Sequence, residues 1–157
     1  MEKFEINLTV NGEDYCLEVS PNRTLLRLIR DNLGLKGTNC SCERGDCGTC
    51  TVLVDGVPTK SCLMLAVEAD GTDITTIEGL SEDGELNPIQ QAFIDHGAAQ
   101  CGFCTPAFIL RGHALLQNNP DPTEEEVKEA IMGILCRCTG YRQIIDAILD
   151  ATDKYPI

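Results

Sequence analysis

Apolar and polar residues alternate from the start of the chain: Phe4, Ile6, Leu8 and Val10 fall on one face of an extended segment, with polar residues between them. Asn11-Gly12 follows, a pair suited to a tight hairpin turn, and Tyr15, Leu17 and Val19 resume the alternation. A hairpin is expected, with its second strand starting a few residues past the turn. The period then lengthens. Thr24 is an expected N-cap, Leu25, Leu26, Leu28, Ile29 and Leu33 have helical spacing, and Gly34 is suited to stop the helix. Residues 51–54 and Val57 flank Asp55-Gly56, a second hairpin signal, and 74–77 add a short strand. The first half thus predicts a small mixed sheet crossed by one helix.

The stretch EGLSEDGELN is acidic, rich in turn residues and without period, and Pro88 is suited to open a helix directly after it. Beyond it the apolar period is helical throughout, predicting helices over 88–96, 106–118, 123–132 and 141–150. The third carries a capping box, Thr123 with Glu126, and further acids in its first two turns. The expected fold class is α+β: residues 1–78 as a sheet domain, 79–87 as a linker, and 88–157 as a small all-α four-helix bundle.

A chain of 157 residues has room for two such domains. Its formal net charge of −13 disfavours nucleic acid and anionic membrane surfaces as partners. The alternating N-terminus has no secretory pattern, and no apolar run approaches the ~18 residues that span a bilayer. A soluble, cytoplasmic protein is expected. In a reducing compartment its ten cysteines favour metal-bound thiolates over disulfides.

Eight of the ten fall into two sets. Cys42, Cys47 and Cys50 are spaced C-x4-C-x2-C, with Cys62 after the second hairpin, which is the plant-type [2Fe–2S] pattern. Gly45 and Gly48 let the backbone come close to a cluster and offer N–H groups to its sulfurs. A zinc site is the bland alternative, but its usual signature is two close C-x2-C pairs, and the x4 step replaces one of them. The second set is Cys101 and Cys104, then Cys136 and Cys138, all in the helical half. A thioredoxin-like pair needs strands that this half lacks. Each pair precedes an expected helix, so two helix N-termini are expected to face one anionic cofactor. His96 and His113 lie outside the cysteine loops and read as polar or packing residues, against Rieske ligation. Cys16 falls in a strand as a small core or surface residue, and Cys40 forms a C-x-C with Cys42 without fitting the x4 spacing.

CERGDCGTC with Cys62, QCGFCTP from Gln100 and CRCTGY from Cys136 together resemble, over essentially the whole chain, the small iron–sulfur subunit of the molybdenum hydroxylases. That group includes xanthine dehydrogenase, aldehyde oxidoreductase, carbon monoxide dehydrogenase and nicotinate dehydrogenases. The resemblance implies a ferredoxin-like β-grasp domain followed by a four-helix domain. It also implies two [2Fe–2S] clusters, bound by Cys42, Cys47, Cys50 and Cys62 and by Cys101, Cys104, Cys136 and Cys138. Gln100 and Cys138 would approach the molybdopterin, as its cytosine dinucleotide, of a large partner subunit, while the first cluster faces an FAD subunit. Asn39 and Ser41 stand where the family commonly has Lys and Gly, Ala107 where Gly often follows CTP, and Ile134 where Asn is common; none removes a ligand. The function implied is an electron relay with no substrate chemistry on this chain, which has no dinucleotide-binding G-x-G-x-x-G or P-loop. An N-heterocycle such as nicotinate or a purine is the expected substrate of the complex, with aldehydes, carbon monoxide and aromatic acyl-CoA as alternatives. A free ferredoxin-type carrier and a zinc-stapled interaction module are the rival readings.

Overall fold

The computed structural model describes residues 2–81 and 83–155; Met1, Glu82 of the expected linker, Pro156 and Ile157 lie outside the described residues. Strands β1 (Phe4–Val10) and β2 (Glu13–Val19) pair antiparallel, with Val10 opposite Glu13. Asn11 and Gly12 both take left-handed backbone, φ +52° and +81°, so two residues suffice to reverse the chain. The second strand therefore begins directly after the turn, and not a few residues later as the polar Glu13-Asp14 suggests.

Thr24 caps α1 (Leu25–Arg27), its hydroxyl accepting the Arg27 N–H at 3.3 Å. The α-helix is short because it widens at once into a π turn, Leu28–Asn32, in which the Leu33 N–H reaches back to the Leu28 carbonyl at 3.2 Å. Leu25, Leu26, Leu28 and Ile29 are fully buried, and Gly34, at φ +74°, ends the turn.

Strands β3 (Thr51–Val54) and β4 (Val57–Lys60) form the second hairpin, and β5 (Asp73–Thr75) runs parallel to β1 and antiparallel to β3. The sheet order is β2-β1-β5-β3-β4, so the shortest strand lies at its centre. It ends at Thr75 because Thr76 turns away to exchange two hydrogen bonds with the Asn11 side chain, at 2.8 and 2.9 Å.

Four helices follow: α2 (Pro88–Asp95), α3 (Thr105–Asn118), α4 (Glu124–Ile131) and α5 (Arg142–Asp150). Asn87 with Gln90 and Thr123 with Glu126 form capping boxes on α2 and α4. Two cores result. Ile6, Leu8, Val10, Leu28, Ile29, Val52 and Ile74 fill the first; Ile89, Phe93, Phe108, Leu110, Ile144 and Ile148 lead the second. Alternation along β3 ties them together, for Val52 belongs to the first core while its neighbour Leu53 belongs to the helical one. Leu80, inside the expected linker, is buried in the helical core as well.

Candidate metal centres

The first cysteine set gathers where a loop meets the second hairpin. Cys50 precedes β3 and Cys62 follows β4; Ser61 locks them together, its N–H and hydroxyl both bonding the Cys50 carbonyl, at 3.3 and 2.7 Å. Burial pushes the Cys62 thiol up to about 12, the neighbouring Cys50 thiol adds to the rise, and the Gly45 N–H opposes it. Cys42 has the opposite environment. The backbone N–H of Cys47, at 3.4 Å from the sulfur, and those of Arg44 and Asp46 hold its thiol down to about 6. This is a ring of amides around an anionic sulfur. It needs left-handed backbone at Glu43, Gly45 and Gly48, φ +50°, +86° and +70°.

The second set lies between α3 and α5. Cys104 is the N-cap of α3, and Gly102, at φ +83°, turns the chain between it and Cys101. Burial pushes the Cys104 thiol up to about 12, helped by Cys136 beside it. Cys136 is itself partly desolvated, but the Thr139 hydroxyl at 3.1 Å and N–H at 3.4 Å outweigh this and hold its thiol low. The Cys138 thiol is raised, chiefly by the adjacent Cys101 thiol. Of the two expected helix-start sites only Cys104 stands at one. Cys136 and Cys138 sit in the loop before α5, which folds back through the left-handed Tyr141, φ +72°, so that the Tyr141 hydroxyl accepts the Cys136 N–H at 3.0 Å. The Tyr141 ring packs edge-on against Phe108 of α3, centroids 6.0 Å apart.

Within each set the thiols act most strongly on one another in twos, Cys42 with Cys47 and Cys50 with Cys62, then Cys104 with Cys136 and Cys101 with Cys138, with weaker influence across the pairs. Among the described residues no three Cys, His, Asp or Glu side chains converge as around a single ion. Two pairs of thiols in each set suit two irons with two thiolates each. The donor chemistry therefore fits a [2Fe–2S] group in each set.

The two sets also adjoin each other. A cavity of about 480 Å³ is lined by Cys47 from the first set and by Cys101, Cys104, Cys136 and Cys138 from the second. Beside it the Leu135 N–H donates to the Cys47 carbonyl at 2.9 Å, and the Asn39 side-chain amide donates to the Phe103 carbonyl at 2.7 Å. A Cβ on Gly48 would collide with the Gly133 carbonyl, so glycine is required for this approach as well as for its φ. Lys60 closes the seam, its Nζ donating to the Gly45 carbonyl at 2.6 Å. Sequence reasoning missed the roles of Leu135, Gly133 and Lys60, which lie far along the chain from the loop they touch; only Asn39 had drawn notice, as a departure from the family pattern.

Gln100, Cys101 and Cys138 are exposed at one edge of the site, next to the exposed side chains of Phe103 and Leu135. Cys16 is exposed on β2. Cys40 packs against Cys50 and Cys62 and donates to Glu43 Oε1 at 3.0 Å, and burial pushes its thiol up to about 11. His96 faces Asp150 at 3.6 Å and His113 bonds Tyr155; neither touches the cysteines. No helix among the described residues is long and apolar enough to cross a membrane.

A family model described as a 2Fe-2S iron-sulfur cluster binding domain matches residues 8–76, and one described as a [2Fe-2S] binding domain matches residues 76–149. The nicotinate dehydrogenase small FeS subunit of Eubacterium barkeri is 47% identical over 154 residues, 98% of this chain and 98% of that protein. The nicotine 6-hydroxylase small subunit of Paenarthrobacter nicotinovorans is 49% identical over 150 residues, 96% of this chain and 90% of that one. Among solved structures, a chain of quinoline 2-oxidoreductase from Pseudomonas putida 86 superposes with a TM-score of 0.93 at 44% identity, covering 98% of this chain and 96% of its own.

Proposed function

Since the chain belongs to the small iron–sulfur subunits of the molybdenum hydroxylases, we propose that it relays electrons between two partner subunits, each half of the chain holding one [2Fe–2S] cluster. Cys42, Cys47, Cys50 and Cys62 hold the first, and Cys101, Cys104, Cys136 and Cys138 the second. Residues 1–78 form a ferredoxin-like β-grasp domain, 88–157 a four-helix bundle, and 79–87 connect them. When bound, each cluster supplies a station that takes up and gives back single electrons.

The protein's own residues hold these stations in order. The observation that carries the reading is the 2.9 Å bond from the Leu135 N–H to the Cys47 carbonyl. Leu135 is joined by one peptide bond to Cys136, so a continuous path of covalent and hydrogen bonds runs from one sulfur set to the other. Buried Cys50, Cys62 and Cys104 exclude water from the inner side of each set. The exposed edge with Gln100 and Cys138 is suited to the molybdopterin, as its cytosine dinucleotide, of a large subunit. The loop of Cys42, covered by the exposed Leu63, faces an FAD subunit. Cys101, Cys104, Cys136 and Cys138 would thus hold the station nearer the molybdenum subunit and Cys42, Cys47, Cys50 and Cys62 the one nearer FAD, each group supplying one-electron transfer. Relatives named for nicotinate, nicotine and caffeine support an N-heterocycle as the substrate of the complex. Cysteines spaced as metal ligands and a formal net charge of −13 suit a cytoplasmic, membrane-free protein that does not bind nucleic acid.

The native complex, isolated anaerobically, is expected to contain about four irons per copy of this chain. In electron paramagnetic resonance Cys138→Ser should lose one of two reduced signals and Cys47→Ser the other. A zinc-containing, colourless protein, or loss of both signals in either variant, would overturn the reading.

A further inference from the structure

Lys60, the last residue of β4, is half-buried and spends its ammonium group on the Gly45 carbonyl at 2.6 Å. Lys3, Lys128 and Lys154 each meet a carboxylate; among the described residues Lys60 meets none. The arginines nearest the same loop are already paired, Arg27 with Glu43 and Arg44 with Asp46. One uncompensated positive charge is therefore fixed against the Cys42–Cys47 turn, in a protein whose formal net charge is −13.

Its position is chemically specific. The Gly45 carbonyl and the Asp46 N–H belong to one peptide group, and the Asp46 N–H helps those of Cys47 and Arg44 to hold the Cys42 thiol low, Cys47 making the hydrogen bond itself at 3.4 Å. The N–H of Gly45 itself acts on the Cys62 sulfur. An ammonium group on a carbonyl polarises the whole peptide and strengthens its N–H as a donor. On its other side the Lys60 Nζ is the nearest atom to the open face of Gly133, 3.8 Å from where a Cβ would stand. The charge thus sits where the sheet half meets the loop leading to Cys136.

We propose that Lys60 is a positioning residue that raises the reduction potential of the cluster in the sheet half, acting through the Gly45–Asp46 peptide. The inference rests on the ligand assignment proposed above. Reduction adds one electron, and so one negative charge, to the group that Cys42, Cys47, Cys50 and Cys62 hold, with no bond broken. A fixed cation close by favours that state. Lys60 thereby biases the electron toward the sheet half, the order that a relay out of the helical half requires.

The test is a redox titration of the anaerobically isolated complex, followed by electron paramagnetic resonance. The signal absent from Cys47→Ser identifies the sheet-half cluster; if no signal is lost there, the ligand assignment fails, and the Lys60 inference with it. With the signal identified, Lys60→Gln should shift that cluster's reduced-to-oxidised ratio at fixed potential about tenfold toward the oxidised form, equivalent to about 59 mV for one electron. The other cluster should stay where it was. Lys60→Arg, which keeps the charge on a bulkier group, should hold the wild-type potential. An unmoved sheet-half potential in Lys60→Gln overturns the inference while leaving the ligand assignment intact. Should that variant lose its iron, Lys60→Arg decides alone: a retained potential supports a role for charge, and a tenfold shift means that Lys60 only packs.

Discussion

At His113 the surrounding hydrogen bonds settle the state of the ring. Asn87 Oδ1 accepts the Ile89 N–H at 3.2 Å and has no proton to give, so the Tyr155 hydroxyl donates to it at 2.8 Å. Tyr155 has then spent its only proton, and His113 Nδ1, 2.6 Å away, must be the donor to it. His113 thus carries a proton on Nδ1, and burial, which holds its pKa below the ordinary value for histidine, favours the neutral ring. The sign of the pH effect follows. A base whose folded pKa is depressed contributes stability above its ordinary pKa of about 6.5 and loses it as pH falls through the lower folded value. His113→Gln keeps a donor toward Tyr155 but does not titrate. Denaturant unfolding between about pH 7 and pH 5 should therefore show wild type losing more stability than His113→Gln; parallel losses would refute the burial argument. None of this was legible in the sequence beyond the reading of His113 as a packing residue, because Tyr155 and Asn87 reach it from opposite ends of the helical half. Gly48 is the contrasting case. Its position between Cys47 and Cys50 marked it for close approach, though to a cluster and not to the Gly133 carbonyl that it also meets.

Among the elements, α4 has the most local design and the most consequential far end. Thr123 accepts the Glu126 N–H at 3.3 Å, Glu126 returns the bond to the Thr123 N–H at 2.7 Å, and Lys128 meets Glu124 and Glu125. At the other end Arg111 of α3 donates from one Nη1 to the carbonyls of Ala130 and Met132, at 2.8 and 2.9 Å. Those carbonyls open the loop that presents Gly133, Leu135 and Cys136, so Arg111 holds the path between the sulfur sets, whereas the capping box only holds the helix. Thr123→Ala should cost about 1 kcal/mol in thermal or chemical unfolding. Arg111→Met should cost about 1.5–3 kcal/mol, and it alone should hasten the bleaching of the visible cluster absorption in air. Equal bleaching in both variants would remove the special role of Arg111. The capping box and all four later helices were legible because period and caps are local signals. The start of β2 was misread because turn closure depends on two left-handed residues, which leave the polar Glu13 and Asp14 free to pair. The central place of β5 was invisible, since three residues carry no pattern and their pairing is set by β1 and β3. Cysteine spacing made both sets legible, but no spacing tells that Leu135 bonds Cys47.

At the scale of the whole molecule the question is whether two halves, each with its own core, behave as one body. The buried faces of β3 answer it, because Val52 and Leu53 are adjacent in the chain yet serve different cores. Leu80 repeats the arrangement just past the sheet, and the Leu135–Cys47 and Asn39–Phe103 bonds close the side nearest the cysteines. Relay by hydrogen-bonded contact requires such stiffness, since a path of this kind fails when its one non-covalent link opens. Leu53, only 3% exposed, tests the idea from the sheet side. Leu53→Ala leaves every proposed ligand in place but empties a space between sheet and helices, and should cost about 2–5 kcal/mol. If the halves are one cooperative unit, chemical unfolding should remain a single transition at lower denaturant, with the absorption of both clusters lost together. Two separated transitions, in which only the helical half melts early, would mean that the halves are tethered and not fused; the path between Cys136 and Cys47 would then open and close independently of folding.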